Sequence, residues 1–306
     1  MVRKIIGPLL LLPVLLFGQY NRPGSTDAQF LKIGVSPRAT GMSDAYIAVV
    51  NGAEATYYNS AALPWIEGTD AVFNHTVWFA GINHEFAAAA HNFGDLGSLG
   101  VSVTALYTDE MKVRTPLQPD GTGETFYSGN YRFGLSYSRF LTDRVSMGVS
   151  VSYIQMSLYQ DFRAKAFSID IATLYKSDFR GFRFGMMISN FGSEIKYVNE
   201  SYPLPTAFTF GLGMNVIDGD VHKLLLTAEG VKPNEGEPLA QAGLEWNYDN
   251  TLFLRVGQRF NYSAATYSFG GGVNLNVIGR GIRADYSYSN YETLGAVHRF
   301  GLGISF

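Results

Sequence analysis

The sequence predicts an all-β fold, a 14-stranded antiparallel transmembrane β-barrel with a small N-terminal plug segment in the lumen. From residue 69 onward apolar and small polar residues alternate with period 2, which is typical of strands. The alternating segments are mostly 10 to 14 residues long, whereas strands of soluble sheets usually have about 5–6 residues. The chain also keeps this alternation to its end, in VHRFGLGISF. These three observations together favour strands that cross a membrane.

Fourteen segments carry the alternation, and their even number is typical of bacterial outer-membrane barrels. They lie near residues 69–80, 83–93, 97–109, 128–140, 144–157, 163–176, 181–191, 206–216, 221–230, 239–248, 251–260, 265–277, 280–290 and 295–306. The connections after even-numbered strands are tight, and several after odd-numbered strands are long and polar. Outer-membrane barrels show this asymmetry, with short periplasmic turns and longer extracellular loops. We therefore expect a cell outer-membrane location, contact with lipid and lipopolysaccharide, and both termini in the periplasm.

The composition fits a protein with little water-facing surface. Of the 306 residues, 46% are hydrophobic and only 16% are charged, against about 25% charged in ordinary soluble domains. The net charge of −3 gives no indication of a nucleic-acid partner. The absence of cysteine excludes disulfides and thiolate metal sites. A soluble secreted β-sandwich is the alternative, but its outer strand faces would carry more charge than the Gly, Ser, Thr and Asn found here.

The first 18 residues have the pattern of a secretory signal peptide. Arg3 and Lys4 precede an apolar run from Ile5 to Phe17, and we expect cleavage near residue 18 or 19. A membrane anchor is the alternative, but the run is shorter than the roughly 20 residues that span a bilayer. The chain therefore divides into a signal peptide (1–18), an N-terminal segment or lumen plug (19–68) and a transmembrane barrel (69–306).

The final strand resembles the C-terminal targeting signal that the barrel-assembly machinery reads. Its large apolar residues, Phe300, Leu302, Ile304 and Phe306, fall on alternate positions. We expect them to face lipid in the strand that closes the barrel, since closure leaves no unpaired sheet edge.

Charged residues fall on the opposite parity and are expected to line the lumen. They are Arg132, Asp170, Arg183, Glu229, Glu245, Arg255, Arg259, Arg283, Asp285 and Arg299. Arg or Lys facing lipid at mid-depth would cost about 2–4 kcal/mol. Hairpin geometry predicts two cross-strand pairs, Glu245 with Arg255 and Asp285 with Arg299.

Residues 27–68 do not alternate and are rich in Ala and Gly. A barrel of fourteen strands is too wide for its own side chains to fill, so we expect this segment to fold into the lumen. Asn59 is placed to cap a short helix before Pro64.

Three motifs in this segment resemble the PorV/PorQ family of FadL-like outer-membrane barrels. They are FLKIG, which ends at Gly34, RATGMSDAYIAV from Arg38 to Val49, and ATYYNSAAL, which contains Asn59. The plug motif of the resemblance comprises Gly34, Arg38, Ala39, Gly41, Met42 and Asn59. The family usually has Gly where Ser43 and Asp44 stand, and Asn-Pro-Ala-Gly where this chain has Asn-Ser-Ala-Ala.

The PorV branch of the resemblance implies a type IX secretion system component that handles cargo proteins at the outer membrane together with the translocon barrel. The FadL branch implies a channel for long-chain fatty acids or other hydrophobic molecules, which is the alternative function. Tyr197, Tyr202 and Leu204, in one of the two longest loops, are the residues predicted to bind a partner. No cofactor and no catalytic or metal-binding constellation is expected, because the chain has neither HExxH nor GxSxG; we therefore expect that it is not an enzyme.

Overall fold

The barrel is closed by fourteen antiparallel strands, each paired with its neighbours in the chain, and the last strand pairs with the first. This computed structural model describes residues 22–159, 162–277 and 279–306, so the predicted signal peptide lies outside the described residues. The predicted fold class is confirmed. Within the described ranges no helix is both long and apolar enough to cross a membrane.

The strands follow the predicted segments to within a few residues. They are β1 (Thr69–Val77), β2 (Ile82–Asn92), β3 (Ser98–Thr108), β4 (Gly129–Thr142), β5 (Val145–Ser157), β6 (Arg163–Lys176), β7 (Arg183–Gly192), β8 (Ala207–Asp218), β9 (His222–Pro233), β10 (Leu239–Tyr248), β11 (Leu252–Phe260), β12 (Tyr267–Val277), β13 (Arg280–Asn290) and β14 (Ala296–Ser305). The period-2 pattern located these strands because successive side chains of a strand point to opposite faces, so the pattern depends only on the residues of that strand.

The side chains alternate between the outside and the lumen as expected. On β1, Phe73 is 52% exposed on the outer surface, whereas the neighbouring inward residue Asn74 is only 1% exposed. On β14, Leu302 is 62% exposed, and it lies opposite Phe73 across the seam. The outer surface is therefore an apolar band of the kind that meets lipid in outer-membrane barrels.

The two ends of the barrel differ in the length of their connections. Turns after even-numbered strands are short, and we call this side the short-turn end. The long-loop end carries loop 109–128, with a ribbon of Met111–Lys112 and Thr125–Phe126, and loop 193–206, with a ribbon of Ile195–Lys196 and Ser201–Tyr202. The sequence indicated these two loops but not the short ribbons inside them.

The N-terminal segment, residues 22–68, runs through the lumen. Its regular elements are 3₁₀ turns at Gln29–Lys32, Gly52–Glu54 and Ser60–Trp65, and two short helices, α1 (Pro37–Gly41) and α2 (Ala55–Tyr58). Met42, Tyr46 and Leu63 are completely buried in the core that this segment forms with inward side chains of the wall. The segment supplies the side chains that fill a lumen too wide for the wall residues alone.

The two ends of the described chain lie at opposite ends of the barrel, whereas the expected N-terminus of the mature protein, near residue 19, lies outside the described residues. Thr69 and Phe306 do meet at the short-turn end, where the Thr69 amide donates to the Phe306 carbonyl at 2.8 Å. Ser25, however, lies at the long-loop end, where its amide donates to Glu235 at 2.9 Å. An even strand count places the start of β1 and the end of β14 on the same side of the barrel. The N-terminal segment, which precedes β1, crosses the lumen from the opposite side.

Candidate functional site

A ladder of buried ion pairs ties the N-terminal segment to the barrel wall. Arg38 of α1 donates from Nε and Nη2 to both carboxylate oxygens of Glu245, each at 2.8 Å. Arg255 on the neighbouring strand donates to Glu245 at 2.6 Å and to Asp285 at 2.5 Å. We call these four residues the ion-pair ladder. Bidentate geometry of this kind satisfies buried charges that would otherwise be costly to remove from water.

Of the two cross-strand pairs predicted for the lumen, the structure forms one. Glu245 lies directly opposite Arg255. The pair between Asp285 and Arg299 does not form, because Asp285 lies opposite Gly301 and Arg299 lies opposite Ser287. The hairpin turn is centred one residue further along the chain than expected. Asp285 therefore joins the ladder, and the Arg299 guanidinium lies 5.5 Å from the centroid of the Trp78 ring.

Further carboxylates hold the irregular backbone of the segment. Glu229 accepts the amides of Tyr46 and Ile47 at 2.9 and 2.8 Å. Asp70 accepts the amide of Ala53 at 2.6 Å. Buried amides outside regular structure need such partners. Sequence reasoning missed Asp70, although its place on the inward face of β1 was readable from the alternation.

A second ion pair between the segment and the wall joins Asp44 to Arg259. Asp44 stands where the family pattern usually has Gly, so the resemblance gave no reason to expect a carboxylate there. The departure from the family pattern therefore adds a contact between the segment and the wall.

Residues of the predicted plug motif are tightly packed, either against the barrel wall or against other parts of the segment. A Cβ atom on Gly41 would lie 3.1 Å from the Gly270 Cα of the wall, and a Cβ on Gly34 would lie 2.2 Å from an Asp44 carboxylate oxygen. Ala39 and Met42 are completely buried. Larger side chains at these positions would clash with neighbouring atoms.

Asn59 is completely buried and joins two parts of the segment. Its Oδ1 accepts the Ala61 amide at 3.1 Å, which caps the 3₁₀ turn Ser60–Trp65. Its Nδ2 donates to the Ile47 carbonyl at 2.9 Å. The side chain therefore holds the turn against an otherwise irregular stretch of backbone.

At the long-loop end one carboxylate holds the start of the described chain. Glu235, in the loop between β9 and β10, accepts from the amides of Ser25 and Thr26 at 2.9 and 3.0 Å and from the Gln29 side chain at 2.8 Å. It also accepts from the Thr26 hydroxyl and pairs with Lys32. We call this arrangement the Glu235 clamp. Burial alone would raise the pKa of Glu235, but these donors outweigh it and lower the pKa from 4.5 to about 2.

Loop 193–206 folds back onto the same stretch, which corrects part of the predicted partner-binding surface. Leu204 is only 1% exposed and packs in one cluster with Phe30 and Leu31. Tyr197 is partly buried against that cluster, whereas Tyr202 is exposed and donates to Glu200 at 2.7 Å. Leu204 therefore supports the loop from within, and only Tyr202 of the three residues faces outward.

A cavity of about 540 Å³ lies inside the long-loop end, beneath the Glu235 clamp. Much of its lining is apolar and includes Ile33, Ile47, Tyr57, Met187 and Val231. This combination of volume and lining is typical of pockets for small apolar molecules.

One polar corner of this cavity adjoins a bulge in the wall. The register between β6 and β7 shifts at Asp170, whose carboxylate accepts the freed Asn190 amide at 2.6 Å and an Arg132 proton at 2.8 Å. The Nε and Nη1 atoms of Arg132 are buried, and neither has a hydrogen-bond partner in the described part of the chain. The cavity therefore combines apolar walls with one cationic group that has unused donors.

The predicted assembly-signal residues lie on the outer surface of β14 and at its end. Phe300, Leu302 and Phe306 are exposed and Ile304 is half-buried. No group of three His, Cys, Asp or Glu side chains able to hold a metal ion occurs among the residues that the structure describes.

Residues 18–240, which include the N-terminal segment and most of the strands, match the sequence profile of the family described as "Type IX secretion system protein PorV". The chain belongs to the PorV family. No curated protein matches the sequence. The match covers the three motifs on which the resemblance rested, and it confirms that resemblance.

Solved structures show that this PorV-family chain has the FadL-like outer-membrane barrel fold. The toluene transporter TbuX of Ralstonia pickettii is 14% identical with a TM-score of 0.58, over 89% of this chain and 97% of that one. The toluene transporter TodX of Pseudomonas putida is 11% identical with a TM-score of 0.56, over 82% and 91%. A Pseudomonas aeruginosa FadL homologue is 12% identical with a TM-score of 0.52, over 89% and 98%. At these identities the likeness concerns the fold alone.

Proposed function

We propose that this barrel acts in type IX secretion by binding translocon or secreted cargo proteins at the outer membrane. The observation that carries the proposal is the PorV family match over residues 18–240. The lumen supports it, since the ion-pair ladder and the Glu235 clamp hold a segment across the barrel from end to end. In this proposal the segment is a plug, and the barrel presents surfaces to proteins instead of an open pore.

The proposal places the short-turn end in the periplasm and the long-loop end outside the cell, as short turns and longer loops are arranged in bacterial barrels. The signal peptide and the apolar row of β14, read by the barrel-assembly machinery, would bring the chain there. The outer apolar band would contact lipid and lipopolysaccharide.

Loop 109–128 is the partner-binding surface that the structure favours. Leu117 at the tip of its ribbon is 93% exposed, and Tyr127 at its base is 63% exposed. Exposed apolar and aromatic groups on a projecting element are typical of interface anchors. Tyr202 on the neighbouring long loop extends this surface, whereas Leu204 does not.

The test is complementation of a strain that lacks this gene. The variant joins residue 113 directly to residue 122, which removes the exposed tip but keeps the paired Met111–Lys112 and Thr125–Phe126 strands. We expect the variant to assemble as a heat-modifiable barrel, yet to lose surface display of cargo with C-terminal sorting domains and co-purification of the translocon. Leu96→Ser, in an exposed short turn at the other end, is the control. Normal display with the shortened loop would remove this surface from the proposal, and normal display in the strain lacking the gene would overturn the function.

The cavity at the long-loop end favours a second function, passage of long-chain fatty acids or other hydrophobic molecules. An anionic head group would meet Arg132 while an apolar chain lay along Met187 and Val231. Binding of a labelled fatty acid to the purified barrel tests this function. We expect Met187→Glu to abolish binding, whereas Met147→Glu, on the outer surface, would not. Absence of binding to the wild-type barrel would exclude the second function without affecting the first.

A further inference from the structure

A second cavity, of about 360 Å³, lies below the ion-pair ladder toward the short-turn end. Its lining is strongly polar and is dominated by amides, namely Asn51, Asn74, Asn215, Asn247, Asn250 and Asn274. The Oδ1 atoms of Asn74 and Asn247 are buried without a hydrogen-bond partner among the described residues. Buried acceptors without partners are uncommon in folded proteins, and they would match the hydroxyl groups of a ligand.

The positive charges of this cavity outnumber the carboxylates available to pair with them. Glu245 and Asp285 are occupied by Arg38 and Arg255, and Asp70 is occupied by Arg283. These pairs leave Arg183 and Lys223, which also line the cavity.

Arg183 and Lys223 make no ion pair with any residue that the structure describes. Asp218 lies opposite Lys223 in the strand register and accepts from Asn215 at 3.1 Å, but among the described residues it forms no ion pair with either cation. Glu54 is the remaining acid of the lining, and it accepts from the Tyr46 hydroxyl at 3.0 Å and from Asn74 at 3.2 Å. Two cationic side chains therefore have free donors in a cavity where the acids are already engaged.

We propose that this cavity binds a small anion that carries several hydroxyl groups, with the chemistry of a sugar phosphate. Arg183 and Lys223 hold the anionic group, since charge-assisted hydrogen bonds from Arg and Lys are strong ones for phosphate. The asparagine amides bind the hydroxyl groups. A volume of about 360 Å³ falls in the range of small-molecule pockets. The position of the cavity in the lumen favours a soluble ligand over a lipid head group, and the inference is independent of the secretion function.

Calorimetric titration of the full-length barrel in neutral detergent tests the proposal, with glucose 6-phosphate, glucose and inorganic phosphate as probes at constant ionic strength. We expect glucose 6-phosphate to bind, and the other two to bind at least about tenfold more weakly because each lacks one half of the recognised chemistry. Arg183→Gln and Lys223→Gln should each weaken glucose 6-phosphate binding about tenfold or more, whereas Arg183→Lys should retain part of it.

Arg280→Gln is the matched control, since Arg280 is exposed at the short-turn end but does not line the cavity. Heat-modifiable mobility shows which variants are folded, and Lys223→Gln carries the test if Arg183→Gln does not assemble. The proposal is overturned if the wild-type barrel does not bind glucose 6-phosphate at millimolar concentration, if both glutamine variants bind like wild type, or if Arg280→Gln weakens binding equally.

Discussion

The ion-pair ladder allows the attachment of the N-terminal segment to be tested with one isosteric change, Glu245→Gln. The change keeps the size of the side chain but removes the charge that two guanidinium groups share. Removing one partner of a buried pair costs about 3–5 kcal/mol. Arg255 keeps Asp285, and Arg38 keeps a hydrogen bond of 2.5 Å to Asn51. We therefore expect a loss near the lower end of that range, about 3 kcal/mol.

The matched control is Asp178→Asn, which breaks the pair between Arg144 and Asp178. That pair has a similar distance, 2.5 Å, but its side chains are 57% and 87% exposed. An exposed pair is worth about 0–1 kcal/mol. Urea unfolding in detergent micelles, followed by tryptophan fluorescence, gives both losses in the free energy of unfolding. If the two variants lose equal amounts, or if Glu245→Gln unfolds like wild type, the ladder does not hold the segment.

Three further predictions concern packing, pH and assembly. A Cβ on Gly257 would lie 2.2 Å from a backbone carbon of the N-terminal segment, whereas a Cβ on Gly271 would lie 3.6 Å from its nearest atom. Gly257→Ala should therefore lower the free energy of unfolding by about 1–3 kcal/mol in the same assay, and Gly271→Ala should leave it almost unchanged. Because folding lowers the pKa of Glu235 from 4.5 to about 2, the clamp contributes fully above pH 4.5 and weakens as the pH falls toward 2. Pepsin should therefore cleave residues 22–33 more slowly in wild type than in Glu235→Gln at pH 4.5, and at nearly the same rate in both at pH 2; the comparison at each pH removes the pH dependence of pepsin itself. The amide and carbonyl of Phe306 pair with Thr69 across the barrel seam. Removal of Phe306 should reduce the yield of heat-modifiable barrel in the outer membrane, whereas Phe260→Ala, on the lipid-facing surface, should not. Equal yields of the two variants would contradict the assembly-signal interpretation.

Cross-strand partners could be predicted from the sequence for one hairpin, Glu245 with Arg255, but not for the other, Asp285 with Arg299. The partner of Glu245 was correct because the turn between β10 and β11 is short and its pairing is unambiguous. The turn between β13 and β14 carries a 3₁₀ turn at Glu292–Leu294, which moves the centre of the hairpin by one residue. A shift of one residue at the turn moves every cross-strand partner by two. For Asp285 and Arg299 the inward parity was correct, whereas their pairing with each other was wrong.

The barrel, its strand number, the sidedness of each strand and the region that enters the lumen could all be predicted from the amino-acid sequence. These properties depend on period-2 alternation, on turn length and on local composition, all of which are read over a few neighbouring residues. The residues that hold the segment could not be predicted in this way, because Arg38 and Glu245 are 207 positions apart and meet only after the barrel closes. The same reason applies to the Glu235 clamp, to the burial of Leu204 and to the two cavities, each of which needs residues from distant strands brought together around one lumen.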